Sequence, residues 1–155
     1  MISKSWIELK QMIYHWDGSW RDVYVPGTDV EDWNKWSNLV NQKYTLRWYN
    51  PATGTTEDSI DFAVLQPYLQ QGVYGGSTVN FWIAPSIQIN AHFFEATRIE
   101  NDIDPREFNS IEDHLELLKY LKNVNQLLHK EVILTYENDI QHPLVKVAGN
   151  VRYTW

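Results

Sequence analysis

The sequence predicts an α+β fold: one domain over residues 1–155, built as a mostly antiparallel sheet covered by helices on one face. Three observations carry this. Apolar residues recur at three-to-four-residue spacing near the start, after residue 28 and past residue 110, the mark of amphipathic helices. Short runs of period-two alternation, bounded by glycine, proline and asparagine, lie between and after them and read as hairpin-linked strands. Helices come first and in the middle, strands between and at the end, an order that suits α+β. At 155 residues the chain fits one domain and buries a core large enough to need no staple, in keeping with its zero cysteines.

The first helix is signalled by Ser5 with Glu8, a capping box, and by Ile2, Trp6, Leu9, Ile13 and Trp16 on one stripe. Asp17-Gly18 is expected to stop it. Trp20 to Val25 alternates, with Trp20, Asp22 and Tyr24 on one face and Arg21, Val23 and Val25 on the other; Pro26-Gly27 ends that strand. Thr28 with Glu31 offers a second capping box for a helix through Val30, Trp33, Leu39 and Val40, burying one or both of Trp33 and Trp36.

A strand at 44–49 and the turn Asn50 to Gly54 lead to a short segment near 57–60. Asp61 caps a short helix through Phe62 and Leu65 that Pro67 is expected to interrupt. Segments 79–83 and 87–94 form a hairpin around Ala84-Pro85-Ser86, followed by an acidic loop holding Asp102, Asp104 and Pro105. Ser110 with Asp113 caps the strongest helix, with the stripe Leu117, Leu121, Val124 and Leu128. Strands at 132–136 and 144–147 follow, with a third at 151–153. The tetrapeptide ENDI occurs twice, from Glu100 and from Glu137.

Charge narrows the partners. Twenty acids against thirteen bases give a net −7, which disfavours nucleic acid and anionic membrane surfaces alike. Residues 95–116 hold eight acids and two bases, so this one stretch carries −6 and the rest of the chain only −1. A cationic partner is steered toward such a patch. Part of it has a structural use, since Glu112 and Asp113 fall in a first helical turn and offset the helix dipole. The N-terminus shows no signal-peptide pattern and no apolar run approaches the ~20 residues of a membrane span, so a soluble, cytoplasmic protein is expected.

Catalytic signatures do not emerge, and no cofactor motif or metal-ligand set is expected. His15, His92, His114, His129 and His142 show no ligand spacing, and His114 in a first helical turn sits where the dipole disfavours an imidazolium. Asp102, Asp104 and Glu107 begin like a calcium loop but lack its glycine and its closing glutamate. VYGGST has glycines without a phosphate-loop Lys-Ser/Thr pair, and there is no GxSxG elbow. A carboxylate pair across a cleft, as a small hydrolase would need, is not readable from sequence alone.

The aromatic content is the unusual feature: eight Trp and nine Tyr. Trp6 and Trp16 fit the first helix's stripe, and Trp48 and Trp82 fit strands, so core packing accounts for these. Trp20 shares its face with Asp22 and Tyr24 and suits either a core corner or a contact surface, where Trp and Tyr act as anchors.

Three stretches in order, DGSWRDVYV from Asp17, ENDIDPRE from Glu100 and KEVILTYEN from Lys130 with His142-Pro143 after it, resemble small acidic α+β immunity proteins of bacterial polymorphic-toxin systems. The resemblance brings no fixed set of catalytic residues. It implies a cytoplasmic, non-enzymatic protein that binds and blocks a toxin domain, a protein partner whose cationic surface an acidic patch complements. The expected contact residues are Asp102, Asp104 and Glu107, with Trp20, Asp22 and Tyr24. The alternatives are a carbohydrate or small-ligand module using exposed Trp, and a small hydrolase with a carboxylate pair.

Overall fold

The computed structural model describes residues 4–155; Ile2, placed on the first helix by its spacing, lies outside them. Nine strands form one sheet in the order β3-β2-β4-β5-β6-β1-β7-β8-β9, with every neighbouring pair antiparallel. The strands are β1 (Arg21–Pro26), β2 (Thr45–Asn50), β3 (Thr55–Glu57), β4 (Thr78–Ala84), β5 (Ile87–Glu95), β6 (Arg98–Ile103), β7 (Val132–Tyr136), β8 (Val145–Ala148) and β9 (Asn150–Tyr153). Four helices, α1 (Trp6–Leu9), α2 (Val30–Lys43), α3 (Phe62–Gln71) and α4 (Ile111–Leu128), bury a single core against one face. The α+β architecture read from the sequence is the one observed.

The topology has one consequence for function. The first strand of the chain is inserted between β6 and β7, deep in the sheet. Its outward residues therefore meet those of a segment some eighty positions later. The inward residues (Val23 and Val25 of β1, Ile99 and Ile103 of β6, Ile87, Ile89 and Ala91 of β5) pack on Trp33 and Trp36 of α2 and Leu117, Leu121 and Val124 of α4. Both α2 tryptophans are fully buried; Trp33 Nε1 donates to the Glu95 carbonyl at 2.8 Å and Trp36 Nε1 to Tyr120 Oη at 3.0 Å. Each indole thus enters the core with its polar edge satisfied.

Five local expectations need correction. The first helix keeps its Ser5–Glu8 capping box but passes into a π-turn over Lys10–Tyr14 and ends there, before Asp17-Gly18. A π-turn takes in one extra residue and rotates the stripe, so Leu9, Ile13 and Tyr14 are buried while Trp16 is 49% exposed. Trp16 instead lies under the Arg106 guanidinium, 3.9 Å from its ring centre. The second capping box is Asp29 with Asp32, one residue later than Thr28 with Glu31, because the Thr28 hydroxyl is drawn to the Ala96 carbonyl at 2.7 Å.

Pro67 lies inside α3 without ending it. Proline forfeits one backbone hydrogen bond, and burial of Leu65 and Leu69 on either side holds the helix together. That helix ends where Gly72 takes a left-handed φ of +69°, as a C-terminal glycine does. Most consequential, the expected acidic loop around Asp102 is strand β6, whose alternation sends Ile99, Asn101 and Ile103 inward and Glu100 and Asp102 outward. A run as polar as Glu-Asn-Asp hides this period from a hydropathy reading.

Candidate functional site: an acidic cleft on the open sheet face

The face of the sheet away from the helices is polar where β5, β6 and β1 lie side by side. Antiparallel register sets Asp22 opposite Asp102 and Tyr24 opposite Glu100 across β1–β6, and Asn90 opposite Asp102 and His92 opposite Glu100 across β5–β6. One of these pairs, Asp22 with Asp102, sets like charges directly across strands, where they repel and cost stability rather than supplying it. A cleft of about 190 Å³ opens over these residues, lined by Trp20, Asp22, His92, Phe94, Glu100, Asp102, Glu137 and Asn138. Four of its eight lining residues are carboxylic acids.

One chain of hydrogen bonds fixes the β5 side of the cleft. Asn80 and Gln88 each donate to Asn90 Oδ1 at 2.6 Å, and Asn90 Nδ2 donates to Asp102 Oδ1 at 2.7 Å. Asp102 Oδ2 in turn pairs with His92 Nε2 at 2.7 Å. That bond raises the His92 pKa above its ordinary value against the opposing effect of burial. Phe94 stacks on the His92 ring, centroids 5.0 Å apart.

Asp22 supplies the floor. It is 5% exposed, and its Oδ2 accepts from the Tyr24 hydroxyl at 2.9 Å and from the Asn138 backbone N–H at 2.7 Å. Asn138 reaches that position by adopting a left-handed φ of 58°, which asparagine tolerates better than most side chains. Oδ1 of Asp22 receives no hydrogen bond among the described residues. Burial pushes the Asp22 pKa up, and burial followed by the nearby Asp22 charge does the same to Glu100. Arg98 offsets part of the charge at that end, 3.5 Å from Glu100 and over the Tyr24 ring at 5.0 Å.

The rim is aromatic. Trp20 and Phe94 are each 41% exposed, and Glu137 Oε1 accepts the Trp20 backbone N–H at 3.2 Å. Trp20 is therefore a surface residue rather than a core corner.

The structure divides the six residues expected from the sequence. Trp20, Asp22 and Asp102 line the cleft, and Tyr24 lies buried beneath it as a donor to Asp22. Asp104 and Glu107 do not line it. Asp104 caps the 3₁₀ turn Pro105–Glu107 and binds the Arg106 guanidinium at 2.9 Å, which holds its pKa low. Glu107 accepts the Gln88 backbone N–H at 3.0 Å, and burial raises its pKa. Both serve the strand ends.

His92, Phe94, Glu100, Glu137 and Asn138 escaped the sequence reading. One signal for them was in view: the two ENDI tetrapeptides each send residues to this cleft, Glu100 and Asp102 from the first, Glu137 and Asn138 from the second.

Chemically, the site offers ionisable oxygens, one oriented imidazole and two apolar walls. No hydroxyl or amine side chain lines the cleft to act as a nucleophile. Among the described residues no group of three or more His, Asp or Glu is arranged to hold a metal ion, and no helix is long and apolar enough to cross a membrane. Compared with protein-family models, curated proteins and solved structures, the chain matches none.

Proposed function

We propose that this chain is a non-enzymatic binding protein that neutralises a partner protein, a cationic bacterial toxin domain, in the manner of an immunity protein acting in the cytoplasm. The single observation that supports the reading is the cleft. Four carboxylic acids converge on one small concavity with a single imidazole among them, and exposed Trp20 and Phe94 flank it. Aromatic anchors around a charged centre are the composition of a binding hot spot. The chain's net −7 adds long-range attraction for a cationic partner. Close charge pairs across a protein interface couple by about 1.5–7 kcal/mol.

Exposed Trp20 also supports a carbohydrate-binding reading. An uncharged sugar brings no positive charge to a cleft with four carboxylic acids and one imidazole in its lining, so the cationic-protein reading is preferred.

The test is co-expression with a toxin domain encoded beside the gene. Growth restored by the chain, with a complex recovered by size exclusion, is the expected result. In that complex, paired charge reversal at Asp22 and Asp102 slows association by about tenfold or more at low salt, while reversal at Asp104 has a small effect. Absence of rescue by any neighbouring toxin domain, or tryptophan fluorescence that responds to oligosaccharides and to no protein, overturns the proposal.

A further inference from the structure

We infer that the cleft receives the guanidinium group of one arginine side chain from the partner, held between Trp20 and Phe94 and hydrogen-bonded by Asp22 and Asp102. This inference rests on the cationic-partner reading above and assigns the chemistry of its central contact.

The first ground is Asp22 itself. A carboxyl group that is 5% exposed normally has its acceptor capacity filled, because a buried carboxylate without donors is costly. Here Oδ2 takes two donors and Oδ1 takes none, and the residue lines the cleft. Oδ1 is not among the sealed, unpartnered polar atoms, so it stays open to a donor that enters the cleft. Across the ladder, Asp102 has one bond at each oxygen, from Asn90 and with His92, which leaves acceptor capacity on both.

Size is the second ground. At about 190 Å³ the cleft is below the 300–1,000 Å³ typical of sites for whole small molecules, but it suits the tip of a side chain. Shape and charge then choose among cations. A divalent ion would need three or more converging ligands, an arrangement not found among the described residues. A lysine ammonium is a compact, strongly hydrated point charge, whereas a guanidinium is planar, less hydrated and stacks on aromatic faces. The walls of this cleft are aromatic. The same chain already seats guanidinium groups on aromatic rings at three places, Arg106 on Trp16, Arg98 on Tyr24 and Arg21 on Tyr136, at 3.9, 5.0 and 5.0 Å. Arg98 shows the pairing beside this very site, bridging Tyr24 and Glu100.

The experiment titrates the full chain with N-acetylarginine amide while following the His92 ring and Trp20 indole signals by NMR. N-acetylcitrulline amide serves as the uncharged isostere, N-acetyllysine amide as the ammonium control and calcium chloride as the metal control. Saturable shifts at both residues with the arginine probe are expected, with citrulline and lysine each weaker by about tenfold. Asp22→Asn retains one carbonyl oxygen able to accept from both Tyr24 and Asn138 and should weaken the arginine probe by about tenfold or more, while Asp104→Asn leaves it unchanged. Asp102→Asn gives an independent check on the opposite wall. Equal binding of arginine and citrulline, no saturation at all, or preferential saturation by calcium overturns the inference.

Its failure is separable from that of the broader reading. A toxin domain that binds wild type and Asp22→Asn equally well leaves neutralisation standing and removes the arginine contact. Saturable arginine binding with no toxin partner keeps the contact and removes neutralisation.

Discussion

Asp22 and Asp102 stand opposite each other across the β1–β6 ladder, with a Tyr24–Asp22 bond on one side and a His92–Asp102 bond on the other. The pair repels in the free protein, and Asp22 is nearly fully buried. Residues kept at a cost to stability are candidates for function.

That cost is measurable. The folded-state pKa of Asp22 is raised, chiefly by burial, so the fold favours its neutral form. The unfavourable contribution therefore appears as pH rises above the unfolded value near 3.9 and is complete above the folded one. Asp22→Asn should stabilise the protein at about pH 7 by a few tenths to about 1 kcal/mol. The gain should vanish at about pH 3. Urea unfolding at the two pH values checks it, and a variant that destabilises at both would show that the carboxyl group's hydrogen bonds to Tyr24 and Asn138 outweigh the repulsion.

How far the sequence exposed this site depends on how each residue signals. Val23 and Val25 alternate with Asp22 and Tyr24, so β1 and its two faces are legible from period two alone. The α4 stripe of Leu117, Leu121, Val124 and Leu128 is equally plain, and all four are buried as expected. Strand β6 is not legible, because Ile99 and Ile103 are the only apolar residues in Arg-Ile-Glu-Asn-Asp-Ile and a buried Asn101 lies between them. Asn101 is admitted to the core by the Tyr120 hydroxyl, which bonds its Oδ1 from a helix nineteen residues on. Pairing of β1 with β6 and β7 is a non-local choice that no local pattern encodes, and the cleft exists only through it. Asp104 and Glu107 were conspicuous as charge, yet their partners are Arg106 and a strand backbone.

Asn138 offers a backbone test of the same cleft. Its left-handed φ of 58° aims its N–H at Asp22. Asn138→Gly should be nearly neutral, while Asn138→Val should cost about 1–2 kcal/mol, the penalty of a side chain in that region. Thermal unfolding distinguishes them, and equal effects would mean that the strain is relieved elsewhere.

Arg21 predicts a larger loss. It is fully buried on the helix-facing side of β1, where Nε donates to the Ile13 carbonyl and Nη2 to the His15 carbonyl, both at 2.7 Å. The guanidinium thus closes the end of the π-turn, where unpaired carbonyls favour a cation. Nη1 adds Asp17 at 3.2 Å and two main-chain carbonyls, Ser19 and Trp20. Arg21→Met should cost about 3 kcal/mol or more, and Arg21→Lys should recover little, since one ammonium cannot span both carbonyls. Urea unfolding of the two variants checks this, and a fully stable lysine variant would refute the fork geometry as the cause.

His114 supplies a pH dependence of the opposite sign to that of Asp22. Its ring is wholly buried at the start of α4, with Nδ1 2.5 Å from the Tyr14 hydroxyl and Nε2 2.8 Å from the Tyr153 hydroxyl. A neutral imidazole satisfies both neighbours, one tyrosine donating and the other accepting. Burial lowers its pKa to about 4. Because the folded value lies below the unfolded one near 6.5, the unfolded chain binds the proton first, and stability falls as pH drops from about 6.5 to about 4. The full loss is about 3 kcal/mol. Carboxylates also titrate in this range, so the informative quantity is a difference between proteins. His114→Leu should be less stable at about pH 7, where two hydroxyls lose their partner, yet should lose about 3 kcal/mol less than wild type on going to about pH 4. Urea unfolding of both proteins at the two pH values gives that difference directly, and parallel losses would show that His114 binds no proton on unfolding.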